Sequence, residues 1–180
     1  AILQSLRKQA DAVGIRIRQT NGAWIDGSIV TGAGTYGILL PRTRNAYVHN
    51  NLIYANAEWA VSIDSDGFAT QPGNIVAFNT IHQNGNGVRL LNASGEIRDN
   101  NFTETVDLAL YLAGPNISVH HNNFSANGRD RDKKSEYSDT IVVWNNIGKN
   151  PRYEKPAGAD GILGGLGWAD DDFRLEQLDA

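Results

Sequence analysis

Apolar residues recur two apart in short bursts along the chain, at Ile15/Ile17, Ile38/Leu40, Val61/Ile63, Val88/Leu90 and Leu110/Leu112. Period two is the signature of a strand with one buried face. A second pattern follows each pair, [Val/Ile]-x-x-[Asn/Ser]-x-[Ile/Val/Phe]. Its first members are Ile25, Val48, Val76, Ile97 and Val119, and its polar members are Ser28, Asn51, Asn79, Asn100 and Asn122. In the third repeat the gap between the two patterns widens to 13 residues, which predicts an inserted loop near Phe68–Gly73. The units begin at Gly14, Gly37, Ala60, Gly87 and Leu108 and run for 23, 23, 27, 21 and 32 residues. A partial sixth, TIVVWNNIGKNP, starts at Thr140.

Turns of about 22 residues, made of short strands and sharp corners, predict a chain wound as a solenoid in which each strand pairs with its equivalent one coil on. Asparagine suits the corner because it tolerates the left-handed conformation better than most residues. Its side-chain amide both donates and accepts, so a buried column of asparagines can satisfy itself. The expected ladder is Ser28, Asn51, Asn79, Asn100 and Asn122. Both ends depart from the repeat. Residues 1–13 place Ile2, Leu3, Leu6, Ala10 and Val13 near helical spacing, which predicts a short helix capping the open end. Residues 14–150 carry the coils. Residues 151–180 form a Gly-rich acidic tail expected to pack back on the last coils, with Trp168 and Phe173 as anchors.

Composition narrows the function. The chain has 180 residues, the length of one domain, and 41% of them are hydrophobic, enough to bury a core. No run approaches the roughly 18 apolar residues of a membrane-crossing helix, so no membrane span is expected. Cysteine is absent, which removes disulfides, thiolate nucleophiles and sulfur-ligated zinc. Methionine is absent too, even at position 1, so the chain is expected to be a processed or excised piece. The net charge of −4 lies wholly in the tail, because residues 1–150 hold 13 Lys/Arg against 13 Asp/Glu. A neutral body lacks the basic face that duplex DNA requires, and nucleic acid is not an expected partner.

The triplet G-[I/V]-x-[I/L] followed by [I/V]-x-x-N-x-[I/F] resembles the right-handed parallel β-helix repeats of pectate-lyase-like proteins, over residues 14–150. The resemblance implies an all-β fold, a right-handed parallel β-helix of about six coils with an asparagine ladder. It also implies an extracellular or cell-surface setting, and a polysaccharide groove on the outer face of the first strand of each coil. That group mixes lyases, hydrolases, epimerases and non-catalytic surface proteins, so fold alone does not choose among them.

Aligning the coils puts Arg16, Leu39, Ser62, Arg89 and Tyr111 in one outward row, with Arg18, Pro41, Asp64, Leu91 and Ala113 in the next. Arg16, Arg18, Arg89, Tyr111 and Asp64 are the candidate substrate-binding residues. Arg16 and Arg89, three coils apart, would stand roughly 14 Å from one another. Asp64 and Asp66, read as lying on one face, are the candidate metal ligands, with calcium the candidate cofactor. The segment 128–139, GRDRDKKSEYSD, is expected to protrude as a charged loop, where Lys133 and Lys134 are candidate catalytic bases, with Arg89. His121 falls one coil from Asp99, a spacing that suits a carboxylate-oriented general base. Asn-x-Ser/Thr matches at Asn92, Asn101, Asn116 and Asn123 arise readily in such a repeat. No nucleophile elbow, phosphate-cradling glycine motif or H-E-x-x-H occurs. Three readings stay open: a polysaccharide-interacting surface β-helix, an enzyme acting on an acidic glycan, and a structural scaffold. Uncovered strands at the open end would also allow end-to-end self-association.

Overall fold

The computed structural model of the protein describes residues 2–3, 12–164, 169 and 171–175. The chain winds as a parallel solenoid with three faces, each a six-stranded sheet. The first sheet holds Ile15–Arg16, Ile38–Pro41, Trp59–Asp64, Asn86–Leu91, Leu108–Ala113 and Arg129–Lys133. The second holds Trp24–Asp26, Tyr47–His49, Gln71–Ala77, Ala93–Arg98, Ile117–His120 and Ile141–Trp144. The third holds Ile2–Leu3, Ile29–Thr31, Leu52–Tyr54, Thr80–His82, Asn101–Thr103 and Asn123–Ser125. The sequence pattern shows two extended segments per coil where the structure has three. The apparent single motif after the ladder position turns a corner, with Val48 facing the core from the second sheet and Ile53 from the third.

Alternation puts one apolar set inward from each face. Leu40, Ile63, Leu90 and Leu112 come from the first sheet, Val48, Val76, Ile97 and Val119 from the second, and Ile53, Ile81, Phe102 and Phe124 from the third. Phe102 and Phe124 stack at 5.0 Å. These columns run the length of the solenoid, so each coil is held mainly by the coils beside it.

The asparagine ladder is present and extends one member further than expected. Asn51 donates to Asn79 Oδ1 at 3.0 Å, Asn79 to Asn100 at 2.9 Å, Asn100 to Asn122 at 3.0 Å, and Asn122 to Asn146 at 3.0 Å. The backbone N–H of Ser28 donates to Asn51 Oδ1 at 3.0 Å. The left-handed conformation belongs to the residue before each rung. Gly27, Asn50, Phe78, Asp99, His121 and Asn145 have φ between 50° and 56°. The ladder amide is thus selected for hydrogen bonding, and its neighbour bears the turn. A second, shorter ladder lies at the corner between third and first sheets, where Asn56 donates to Asn84 Oδ1 at 2.8 Å. Thr105 interrupts it, and Asn127 resumes it by accepting the Thr105 N–H at 3.1 Å.

Within the segment 128–139, Arg129–Lys133 is wall and not a protruding loop, and Ser135–Thr140 is a short 3-10 helix that follows it. Arg129–Lys133 pairs in parallel with Leu108–Ala113, placing Arg131 opposite Leu110 and Lys133 opposite Leu112. The sixth coil therefore begins there, and Ile141–Trp144 is its second-sheet strand, paired with Ile117–His120. Charges at positions that are leucine one coil earlier blunt this edge of the sheet against further strand addition. After the strand, Tyr137 packs against the end of the core and donates to Asn92 Oδ1 at 3.1 Å.

Of the N-terminal segment, Ile2–Leu3 is a strand paired with Ile29–Val30, and the remainder of the expected helix, residues 4–11, lies outside the described residues. At the other end, Tyr153–Lys155 and Asp172–Leu175 pair antiparallel. The Phe173 ring sits 4.8 Å from Tyr54 and 5.3 Å from His82, on the outside of the third sheet. Tyr153 adds an edge contact to His82 at 5.5 Å, and its hydroxyl accepts from Asn101 at 2.7 Å. Trp168 lies outside the described residues.

His82 is buried under this hairpin, with Nδ1 2.8 Å from Thr103 Oγ1 and Nε2 buried without a hydrogen-bond partner. Burial pushes its pKa below the ordinary 6.5, with Glu104 opposing. The unfolded chain therefore binds a proton that the folded chain refuses, and stability rises with pH across that window. We expect the melting temperature to hold above pH 6.5 and to fall as the pH drops below it. His82→Gln, which keeps a partner for Thr103, should flatten that part of a melting-temperature profile followed by circular dichroism. An unchanged slope would place the pH dependence elsewhere.

Candidate functional site

The outer face of the first sheet gathers a group of side chains suited to a ligand. Strand register places Arg16, Leu39, Ser62, Arg89, Tyr111 and Asp132 in one row across the six strands. The same register puts Pro41, Asp64, Leu91 and Ala113 in the next. Arg89 is the centre of the group. Its Nε donates to Ser62 Oγ at 3.0 Å, and an Nη stands 3.4 Å from Asp64 Oδ2. Its guanidinium carbon lies 5.5 Å from the Tyr36 ring and 5.7 Å from the Trp59 ring. Trp59 and Tyr111 approach to 6.3 Å. A guanidinium held by a hydroxyl, a carboxylate and two rings keeps one orientation, and that preorganisation lowers the cost of binding.

The structure thus brings Arg89, Asp64 and Tyr111 together and adds Tyr36, Trp59 and Ser62. Arg16 stands at the far end of the row. Arg18 is turned to another partner, Asp66, at 3.0 Å. Lys133 and Lys134 do not join the group. Lys133 lies two strands from Arg89 on the core-facing alternation, and Lys134 Nζ is 4.0 Å from Glu136.

Asp64 and Asp66 do not share a cation-binding face. Asp64 Oδ1 accepts the Asp66 N–H at 2.6 Å while Oδ2 faces Arg89. Asp66 has left-handed backbone and turns its carboxylate to Arg18 and Arg42, each at 3.0 Å. Both acids are engaged by arginines, Asp64 by Arg89 and Asp66 by Arg18 and Arg42, a donor set that fits ion pairing. Among the described residues, no group of three or more His, Asp or Glu is placed to hold a metal ion.

The second sheet presents a different constellation. Asp99 is bound by Arg98 at 2.8 Å, and no hydrogen bond joins it to His121. His121 instead meets His120, Nδ1 to Nδ1 at 2.8 Å, and His120 Nε2 meets Glu96 Oε1 at 2.6 Å. Trp144 stacks on His120 at 4.3 Å. If Glu96 accepts the Nε2–H of His120, then His120 Nδ1 is an acceptor and must receive the Nδ1–H of His121. That assignment leaves His121 Nε2 as a lone pair on the surface, where the Asn145 amide lies at 3.5 Å. His121 and Asp99 both line a shallow groove of about 410 Å³ with Phe78, Thr80 and Asn101. Further along the same sheet Trp24 and Tyr47 stack at 4.7 Å, with His49 edge-on and its Nδ1 3.4 Å from Asp26. The outward positions of the second motif, read as rows like those of the first, would have placed Glu96 beside Ser118 and Arg98 beside His120.

A family model described as the right-handed β-helix region matches residues 13–154 of the chain. No curated protein and no solved structure matches it.

Proposed function

The chain belongs to the right-handed β-helix family, and from that footing we propose that it binds polysaccharide along the outer face of its first sheet, at a cell surface or outside the cell. The observation that carries this reading is Arg89, fixed by Ser62 and Asp64 among Tyr36, Trp59 and Tyr111. Aromatic faces pack against the C–H surfaces of sugar rings, and an oriented guanidinium with a neighbouring carboxylate hydrogen-bonds their hydroxyls. The rows repeat every ~4.8 Å along the solenoid, a spacing of the order of a sugar unit, so a linear polymer lying on the sheet meets a periodic surface.

Catalysis on a glycan is a second reading, favoured by the Glu96–His120–His121 chain. A base at His121 Nε2 would draw a proton from a substrate or a water, and the charge it gained would be shared toward Glu96. Asp99, at the edge of that groove, is ion-paired to Arg98 at 2.8 Å, and the Arg98 guanidinium lies 5.0 Å from the ring of Phe78, which also lines it. A base with a carboxylate and a cation beside it suits activation of water or a hydroxyl, and equally proton removal beside a substrate carboxylate that the cation neutralises.

One experiment addresses both. Affinity electrophoresis through gels containing a panel of neutral and acidic polysaccharides should retard the wild-type chain in at least one gel. Trp59→Ala should weaken that retardation about tenfold or more, the size of a lost central aromatic contact, with an unchanged circular dichroism spectrum. The retained polymer is then assayed for new reducing or unsaturated ends with the wild type and with His121→Ala. Retardation insensitive to Trp59→Ala would sink the first-sheet site. End formation that survives in His121→Ala would sink the second reading.

A further inference from the structure

The 27-residue third coil carries the insertion between the first and second sheets, and the inserted loop contributes Phe68 and Gln71 to a pocket. The pocket holds about 340 Å³ at the corner beyond the Asp64 row, and Arg42, Arg44, Gln19, Asn21, Phe68 and Gln71 line it. The first four come from the corners of the first two coils, and Phe68 and Gln71 from the inserted loop. Gln19 and Arg42 have left-handed backbone at these corners, with φ of 56° and 55°.

Its charge is unbalanced. Arg18 and Arg42 both reach the same oxygen of Asp66, each at 3.0 Å. Arg44 is exposed and makes no ion pair with a described carboxylate. Two guanidinium groups therefore share one carboxylate, and Arg44 lines the same pocket as Arg42 without an acid of its own among the described residues. Arg42 is held in place, because its guanidinium lies 3.6 Å above the Phe68 ring while Asp66 grips one Nη. Its Nε–H is buried and unpaired. A cation fixed by a ring and an acid, beside a second cation with no acid, is a receptor for an oxyanion. Gln19 adds an amide for hydroxyl groups around that anion, and Asn21 keeps its Nδ2 donor while its Oδ1 accepts from Asn45 at 2.7 Å.

We infer that this pocket binds the carboxylate or sulfate substituent of a sugar, with Arg42 and Arg44 as its anion ligands. The inference rests on the glycan reading of the adjoining first-sheet face and gives that ligand an anionic group near the Asp66 end of the row. The surplus charge is partly exposed, so binding should weaken as salt is raised.

The test uses small probes, so that it stands apart from polymer binding. Inorganic sulfate, galacturonate and neutral galactose are each titrated into the isotopically labelled wild-type chain, and the arginine Nε–Hε resonances are followed by NMR. Saturable shifts at Arg42 and Arg44 with sulfate or galacturonate, and none with galactose, bear the site out. Whichever anion binds more tightly names the substituent. Arg44→Ala should weaken the titration at Arg42 about tenfold, while Trp59→Ala leaves it unchanged. Shifts that do not saturate, or that appear equally at Arg16 and Arg174, overturn the pocket whether or not polysaccharide is retained by the first-sheet face. Polysaccharide retention lost in Trp59→Ala with intact anion titration upholds both sites.

Discussion

Asn79→Leu should remove about 3–5 kcal/mol of stability, a large part of the 5–15 kcal/mol that holds a typical domain together. Asn79 is a central rung. Its Oδ1 accepts both the backbone N–H and the side-chain amide of Asn51, each at 3.0 Å. Its own amide donates to Val48 O at 3.0 Å, Ala77 O at 2.9 Å and Asn100 Oδ1 at 2.9 Å. All of these atoms are sealed between two sheets, where Asn51, Asn79 and Asn100 are each no more than 3% exposed. Leucine has nearly the right volume but leaves the Asn51 N–H and one of its amide hydrogens without an acceptor, and each orphaned buried donor costs about 1–3 kcal/mol. Ser28→Ala is the matched control. Ser28 enters the column through its backbone N–H alone, and its hydroxyl turns to Asp26 O at 3.1 Å. It should cost well under half as much. Urea unfolding of the two variants measures the difference, and equal losses would mean that the ladder contributes no more than ordinary packing.

The repeat that encodes this column is legible because the four coils after the first obey it twice, once in the apolar pairs and once in the asparagine. Register follows from such a repeat, so the row of Arg16, Ser62, Arg89 and Tyr111 could be written down before any coordinates. The parts that were not legible are those where the repeat hides its own geometry. The third sheet contributes one inward residue per coil, such as Ile53 or Phe102, and a single apolar position carries no period. The sixth coil reads in sequence as a partial unit starting at Thr140, because its first strand, Arg129–Lys133, puts Arg131 and Lys133 where an apolar pair belongs. The corner pocket depends on Asp66 reaching back across two coils to Arg18, a contact that an inserted loop permits and no spacing announces. The His120–Glu96 contact crosses the ladder diagonally, since register sets Glu96 opposite Ser118 and Arg98 opposite His120, and only the length of the two side chains lets them meet.

The insertion that makes the pocket has to rejoin the sheet, and Gly95 is where it does so. Gly95 lies opposite Asn74, at a register shift in the pairing of Ala93–Arg98 with Gln71–Ala77. Its φ is +149°, and a Cβ there would stand only 1.8 Å from Asn74 O and 2.7 Å from Asn74 C. Those are backbone atoms of a buried residue whose side chain is itself committed, accepting the Ala46 N–H at 3.1 Å and donating to Ser94 O at 3.2 Å. Neither strand can retreat without breaking such bonds, so Gly95→Ala should cost about 3 kcal/mol or more from overpacking and backbone strain together. The damage should also travel. Gln71 lies on the displaced strand and Phe68 just before it, so anion titration at Arg42 should weaken in this variant even at temperatures where it remains folded. Gly27→Asn provides the contrast, since Gly27 is left-handed with nothing within 4 Å of an added Cβ. Asn50 and Asn145 already occupy the equivalent position, and that substitution should fall within about 1 kcal/mol of wild type. Thermal melts and the Arg42 titration together decide the matter. A Gly95→Ala chain with wild-type stability would show that the two strands part freely, and that the pocket does not owe its shape to this close approach.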